Sequence, residues 1–134
     1  MNIFSGHISH IQVSGSLSLI AIAINENVTL KTIVVETPET VGYLKKGNAI
    51  RILFKETEVM IAKNEISFQT SIQNILGGTI YSIEKGIIVS KVSIETSIGA
   101  VVSVISTEAL ESLILKLHQK VVVMIKSNEI MIAE

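Results

Sequence analysis

The sequence predicts an all-β protein built from two tandem copies of one module of about sixty residues. Composition is the first observation behind this prediction. Of the 134 residues, 48% are hydrophobic but only 4% are aromatic, so the apolar content is mostly Ile, Val and Leu. Ile and Val favour strands because their branched Cβ packs well on a pleated surface. The charged share of 17% is too low for a disordered chain.

An internal repeat is the second observation. Residues 55–62 match residues 126–133 at an offset of 71, with five of the eight positions identical. The module starts align at an offset of 72, where Asn2 corresponds to Asn74 and Gly6 to Gly78. We therefore expect one module over residues 1–66 and a second over 67–134, joined by a packed linker, with a one-residue length difference near the middle of the module.

Each module is predicted to contain five strands and one short helix. In the second module, Ser106-Thr107-Glu108 predicts a helix ending near Leu115, because a hydroxyl cap is followed by an acid. Thr37-Pro38-Glu39 predicts the corresponding helix of the first module, since Pro suits the first helical position. The second-module strands are expected at 79–84, 87–96, 100–105, 120–126 and 129–133. A helix between the third and fourth of five strands is typical of an OB-like barrel.

Stability considerations predict association. A module of about sixty residues buries only about 60% of the surface that its unfolded chain exposes. The chain has no cysteines, so it has no disulfide, and no Cys/His cluster offers a structural zinc site. We therefore expect the modules to pack on each other and on other chains in a homo-oligomer.

Charge and motifs exclude several classes of function. The net charge of −1 argues against a nucleic-acid partner, which requires a basic face. No apolar run approaches the roughly twenty residues that span a bilayer, and the start of the chain does not resemble a signal peptide, so we expect a cytoplasmic protein without a membrane partner. No nucleophile elbow or phosphate-binding glycine loop is present, so we expect neither an enzyme nor an organic cofactor.

A series of short motifs carries a family resemblance. The second module contains Ser71-Ile72-Gln73-Asn74, Gly78, Gly86, Ile105-Ser106, Leu115-Lys116-Leu117 and Ile125-Lys126-Ser127. This series resembles the Mop (molybdenum-pterin binding) or TOBE family, whose pattern opens with Ser-x-Arg-Asn and closes with Ile-Lys-Ala/Ser before a final apolar strand. The resemblance covers nearly all of the second module and, more faintly, the first. Two copies in one chain resemble the tandem, molbindin-type members.

The resemblance implies binding of molybdate or tungstate at module interfaces of a ring-like homo-oligomer, for storage or homeostasis. Such a tetrahedral dianion is held by N–H groups, hydroxyls and a cation, so no metal is coordinated directly. The implied oxyanion ligands in the second module are Ser71, Gln73, Ser106, Lys126 and Ser127. Gln73 stands where the family often has Arg, so an amide donor is kept but a positive charge is lost.

The first module departs further from the family pattern. Lys55 is retained, but Glu56 replaces the equivalent of Ser127, Val34 replaces the equivalent of Ser106, and the equivalent of Ser71 is missing. A carboxylate facing a dianion is repulsive. We therefore expect the first module to be degenerate as a site of its own, while Lys55 contributes to an interface with the second module.

Other interpretations remain open for the chain and for its residues. The chain is alternatively a ligand-poor regulatory or interaction module of a molybdate transport or transcription system, or it binds another oxyanion such as sulfate or phosphate. Lys126 is alternatively a solvated lysine, and Ser106 only a helix cap. Asn2 and Asn74 are predicted to bond nearby backbone, and Gly78 and Gly86 to meet backbone requirements.

Overall fold

The computed structural model describes residues 1–63 and 70–134 and confirms the predicted all-β fold of two OB-like units. The first half forms β1 (Asn2–Ser14), β2 (Leu17–Ala23), β3 (Thr29–Val34), β4 (Ala49–Phe54) and β5 (Met60–Ala62). The second half forms β6 (Asn74–Lys85), β7 (Val89–Thr96), β8 (Gly99–Ser106), α1 (Thr107–Ser112), β9 (Lys120–Ile125) and β10 (Met131–Ala133). A 3₁₀ turn precedes the last strand of each half, at Glu56–Glu58 and at Ser127–Glu129.

The strand order shows that the two halves exchange their last strands. The first sheet has the order β10-β4-β1-β2-β3, and the second has the order β5-β9-β6-β7-β8. Met131 therefore pairs with Leu53 of the first half, and Met60 pairs with Met124 of the second half. Each sheet is completed by three residues from the other half of the chain. The module boundary predicted between residues 66 and 67, and most of the predicted linker, lie outside the described residues.

The predicted helix cap of the second half is confirmed. Ser106 precedes α1, and its Oγ accepts a hydrogen bond of 3.0 Å from the backbone N–H of Ala109. The helix ends at Ser112, which is earlier than the predicted Leu115. The strand β6 starts at Asn74 instead of residue 79, because Asn74 already pairs with Ile125 on β9.

The helix predicted at Thr37-Pro38-Glu39 does not form, so the expectation of one helix in each module is wrong for the first. The segment makes isolated turns, with the Val41 N–H donating to the Thr37 carbonyl at 2.9 Å. The Thr40 hydroxyl accepts from the Thr37 N–H at 2.9 Å, as in a capping box, but no regular helix follows this bond. Val41 and Gly42 then follow, and both have low helix propensity, whereas Ala109 and Leu110 favour the helix in the second half.

One hydrophobic core connects residues of both halves. Ile20 and Ile22 of the first half and Ile80 and Ile94 of the second are fully buried members of this cluster. The repeated glycine lies where two strands approach closely. A Cβ at Gly78 would stand 2.5 Å from Ile94 Cγ2 and 2.8 Å from the Glu95 carbonyl oxygen, so the predicted backbone requirement is confirmed.

A Cβ at the equivalent Gly6 would stand 2.5 Å from the Ala23 carbonyl oxygen. At Gly86 it would stand 2.3 Å from the Val89 carbonyl oxygen, so the requirement predicted there is confirmed as well. Within residues 1–63 and 70–134, no helix is long and apolar enough to cross a membrane.

Candidate oxyanion-binding site

Two asparagines at the repeated position join the halves. The side-chain oxygen of Asn74 accepts from the Lys31 N–H at 2.7 Å, and its amide nitrogen donates to the Lys31 carbonyl at 2.8 Å. Asn2 makes the same pair of bonds to Val102, at 2.8 and 2.9 Å. The predicted structural role, in which these side chains bond backbone, is confirmed, but the partners lie 43 and 100 residues away in the other half.

Two hydroxyls complete this junction. Thr32 on β3 donates to the carbonyl of Ile130, just before β10, and Ser103 on β8 donates to the carbonyl of Val59 at 2.7 Å. Thr32 and Ser103 are themselves completely buried. The asparagines satisfy backbone groups of β3 and β8, which are the last strands of their sheets, and the two hydroxyls satisfy the carbonyls just before β10 and β5.

These contacts create two related corners in the structure. We call the two bonds from one asparagine side chain to the N–H and carbonyl of one residue a clamp. We define the β3 corner by Lys31, Gln73, Lys126 and Ser127, which lie around the Asn74 clamp and the turn Ser127–Glu129. We define the β8 corner by Val102, Met1, Lys55 and Glu56, which lie around the Asn2 clamp and the turn Glu56–Glu58. Each turn packs against the strand that names its corner.

The β3 corner brings together most of the predicted ligands. Asn74 pairs with Ile125, so the antiparallel register places Gln73 beside Lys126. Lys126 is exposed, Ser127 is half-buried and begins the 3₁₀ turn, and Gln73 is exposed. Ser71 is exposed and lies two residues before Gln73, so it leads into this corner. Their roles as ligands remain predictions.

The structure places the other two predicted residues elsewhere. Lys55 belongs to the β8 corner, where it precedes the turn Glu56–Glu58. Ser106 lies four residues beyond Val102 on β8, about 13 Å along the strand at 3.3 Å per residue. Its hydroxyl caps α1, and the residue lines an apolar groove with Thr57 and Met124.

The strand registers correct one equivalence between the modules. Ser18 pairs with Val34, and Ser90, its counterpart at an offset of 72, pairs with Ile105. Val34 is thus equivalent to Ile105, and the residue equivalent to Ser106 is Val35. The length difference falls in the hairpin between β2 and β3, where the offset changes from 72 to 71. The first half still lacks a hydroxyl at this position.

The two corners differ in charge. In the β8 corner, the Glu56 carboxylate lies 3.3 Å from the backbone nitrogen of Met1. In the β3 corner, Ser127 stands in place of that carboxylate. Within the described ranges, neither Lys31 nor Lys126 forms an ion pair, not even with Glu129 of the adjacent turn. The β3 corner therefore contains two lysines outside the described ion pairs, whereas the β8 corner contains one lysine and the Glu56 carboxylate, which pairs with the Met1 ammonium group.

The described residues of these corners form no metal cluster. Across residues 1–63 and 70–134, no group of three or more His, Asp or Glu side chains is arranged to hold a metal ion. Outside the corners, burial raises the pKa of Tyr43, and the charges of Glu36 and Glu134 add to this effect. Glu134 follows β10, which pairs with β4 of the other half.

Lys31 and the asparagine clamps are the features that sequence reasoning did not assign to the site. The recurrence of Asn2 and Asn74 was the available signal, because two buried asparagines at one repeat position indicate a shared structural role. Nothing in the local sequence around Lys31 indicates that its backbone is hydrogen-bonded by Asn74.

The fold and the site together define a class of protein, in which two OB-like barrels are interlocked by exchanged strands and carry polar corners between them. Residues 70–132 match the family model of the TOBE domain. The second half therefore matches the TOBE domain, in the part of the chain where the motif resemblance is strongest. No curated protein matched the chain.

Two solved structures are similar to the chain. The cytoplasmic molybdate-binding protein ModG, crystallised with molybdate bound, aligns with a TM-score of 0.91 and 23% identity. That alignment covers 98% of this chain and 94% of ModG, so the two share the whole tandem fold. MopII from Clostridium pasteurianum aligns with a TM-score of 0.47 and 28% identity, covering 49% of this chain and all of MopII.

Proposed function

We propose that the protein binds molybdate or tungstate for storage or homeostasis in the cytoplasm, and that it does so without catalysis. The observation that carries this proposal is the β3 corner, where the pairing of β6 with β9 brings Gln73 beside Lys126 and Ser127. An ammonium group, a side-chain amide and a hydroxyl are the donors that a tetrahedral dianion requires. The fold shared with ModG, which is described as molybdate-binding and cytoplasmic, supports the same ligand and location.

Binding is expected at interfaces between chains. In one chain the exposed corner offers few donors, and Ser106 lies apart from it, so Ser106 contributes only if a neighbouring chain supplies it. Ile87, Ile88 and Val35 are 96%, 78% and 74% exposed, which is unusual for aliphatic side chains and favours burial against a second copy. Sedimentation velocity should therefore detect a homo-oligomer at micromolar concentration, and a monomer would contradict the ring assembly.

The test of the ligand is isothermal titration calorimetry with molybdate, with sulfate as the control anion. We expect saturable heat with molybdate and weaker heat or none with sulfate. Lys126→Ala should weaken molybdate binding by about tenfold to a hundredfold, because hydrogen bonds to charged groups contribute about 1.5–3 kcal/mol. Lys91→Ala removes an exposed lysine from the middle of β7 and should leave the affinity unchanged.

The outcomes of the titration separate the candidate functions. An unchanged affinity in Lys126→Ala would remove Lys126 from the site. Equal heats with sulfate and molybdate would indicate a general oxyanion site. No heat with either anion would favour the second candidate, a regulatory or interaction module without a ligand. The neutral Gln73 and the carboxylate of Glu56 are the observations that favour this candidate.

A further inference from the structure

Lys31 occupies an unusual position for a lysine. It lies half-buried on β3, between the buried Leu30 and Thr32, so its side chain is on the outer face of the sheet. Its backbone N–H and carbonyl are both held by Asn74 of the other half. The equivalent residue on β8 is Val102, which Asn2 holds in the same way. The backbone geometry thus accepts an apolar residue, and the charge at Lys31 is specific to the β3 corner.

The clamp brings Lys31 next to the predicted ligands. Gln73 is one peptide step, a Cα–Cα distance of 3.8 Å, from the clamping Asn74. An extended lysine side chain is longer than this distance, so it can reach the neighbourhood of Gln73. The two hydrogen bonds from Asn74 hold the Lys31 backbone in place. The turn Ser127–Glu129 packs on the same strand. Lys31 and Lys126 therefore approach the corner from different halves of the chain.

We propose that Lys31 is the second cation of the oxyanion site in the β3 corner and replaces the positive charge that Gln73 lacks. This inference rests on the function proposed above. A dianion next to Lys126 alone keeps one uncompensated charge, and two ammonium groups balance it. The β8 corner has Val102 and Glu56 at the matching positions, so the site is built only once per chain.

The decisive variant is Lys31→Val, because it copies the residue that the other half carries at this position. The matched control is Lys91→Leu, which likewise exchanges a strand lysine for its equivalent in the other half, Leu19. Molybdate titration calorimetry should show about a tenfold or greater loss of affinity for Lys31→Val and none for Lys91→Leu. Lys31→Arg, which restores the charge, should retain binding, and this rescue is not expected for a purely structural role.

Each outcome bears on the proposal. Wild-type affinity in Lys31→Val, together with a loss in Lys126→Ala, would overturn the role of Lys31 and leave the proposed function standing. No binding by the wild-type chain would overturn both. If Lys31→Val unfolds, Lys31→Gln keeps most of the side-chain length and removes only the charge. An affinity in Lys31→Gln equal to that of the wild type would then overturn the proposal, and an affinity about tenfold lower would support it.

Discussion

At the scale of single residues, Asn74 and Asn2 substitute for a neighbouring strand. The free edge of β3 would leave the N–H and carbonyl of Lys31 without partners, and the carboxamide of Asn74 supplies one acceptor and one donor. Asn2 does the same for Val102. Both asparagines are nearly fully buried, so water has little access to these backbone groups and loss of the bonds would be destabilising.

Asn74→Ala should lower the free energy of unfolding by about 2–4 kcal/mol, because each buried backbone group left unpaired costs about 1–3 kcal/mol. Urea denaturation followed by circular dichroism measures this change. Asn128→Ala, at an exposed position of the 3₁₀ turn, serves as the control and should stay within about 0.5 kcal/mol of the wild type. If Asn74→Ala and the wild type had the same midpoint urea concentration of unfolding, the clamp would not stabilise the fold.

At the scale of elements, similar local signals gave different results in the two halves. Both Thr37-Pro38-Glu39 and Ser106-Thr107-Glu108 start as helices do, but only the second is followed by residues with high helix propensity. The short strands β5 and β10 were predicted as strands within their own modules. Their partners were not predictable, because the alternation of residues in a three-residue strand is the same against either sheet.

Removal of residues 131–134 should loosen the first half of the chain more than the second. The missing strand β10 pairs with Arg51, Ile52 and Leu53 on β4, so those backbone groups lose their partners. Hydrogen exchange measured by mass spectrometry should show lost protection in β4, while β9 stays protected by β5 and β6. A chain lacking only Glu134 is the control, and deprotection confined to β9 would contradict the exchanged pairing.

At the scale of the whole molecule, the exchanged strands and the shared core make the two barrels interdependent. Each barrel contains three residues from the other half, and one hydrophobic cluster includes buried side chains from both. A barrel that lost its exchanged strand would expose the edge of β4 or β9. The two halves therefore stabilise each other in a way that two domains on a string do not.

Thermal unfolding followed by differential scanning calorimetry should show one cooperative transition, because neither half retains a complete sheet when the other unfolds. The scan is repeated over a range of protein concentrations, since association raises the midpoint temperature of an oligomer. Urea unfolding followed by hydrogen exchange in β2 and β7, one strand from each half, provides the comparison. Two separate transitions, or β2 and β7 unfolding at different urea concentrations, would contradict interdependence.

The strand-rich fold, the repeat, the cap at Ser106 and the family motifs around Lys126 could all be predicted from the sequence, because each depends on neighbouring residues or on their periodicity. The three-dimensional packing was needed to learn which half receives β5 and β10, and that Asn74 bonds the backbone of Lys31. These contacts join residues that lie 43 to 100 positions apart. Such contacts depend on how the two barrels bury a common core, and local residue preferences do not predict that arrangement.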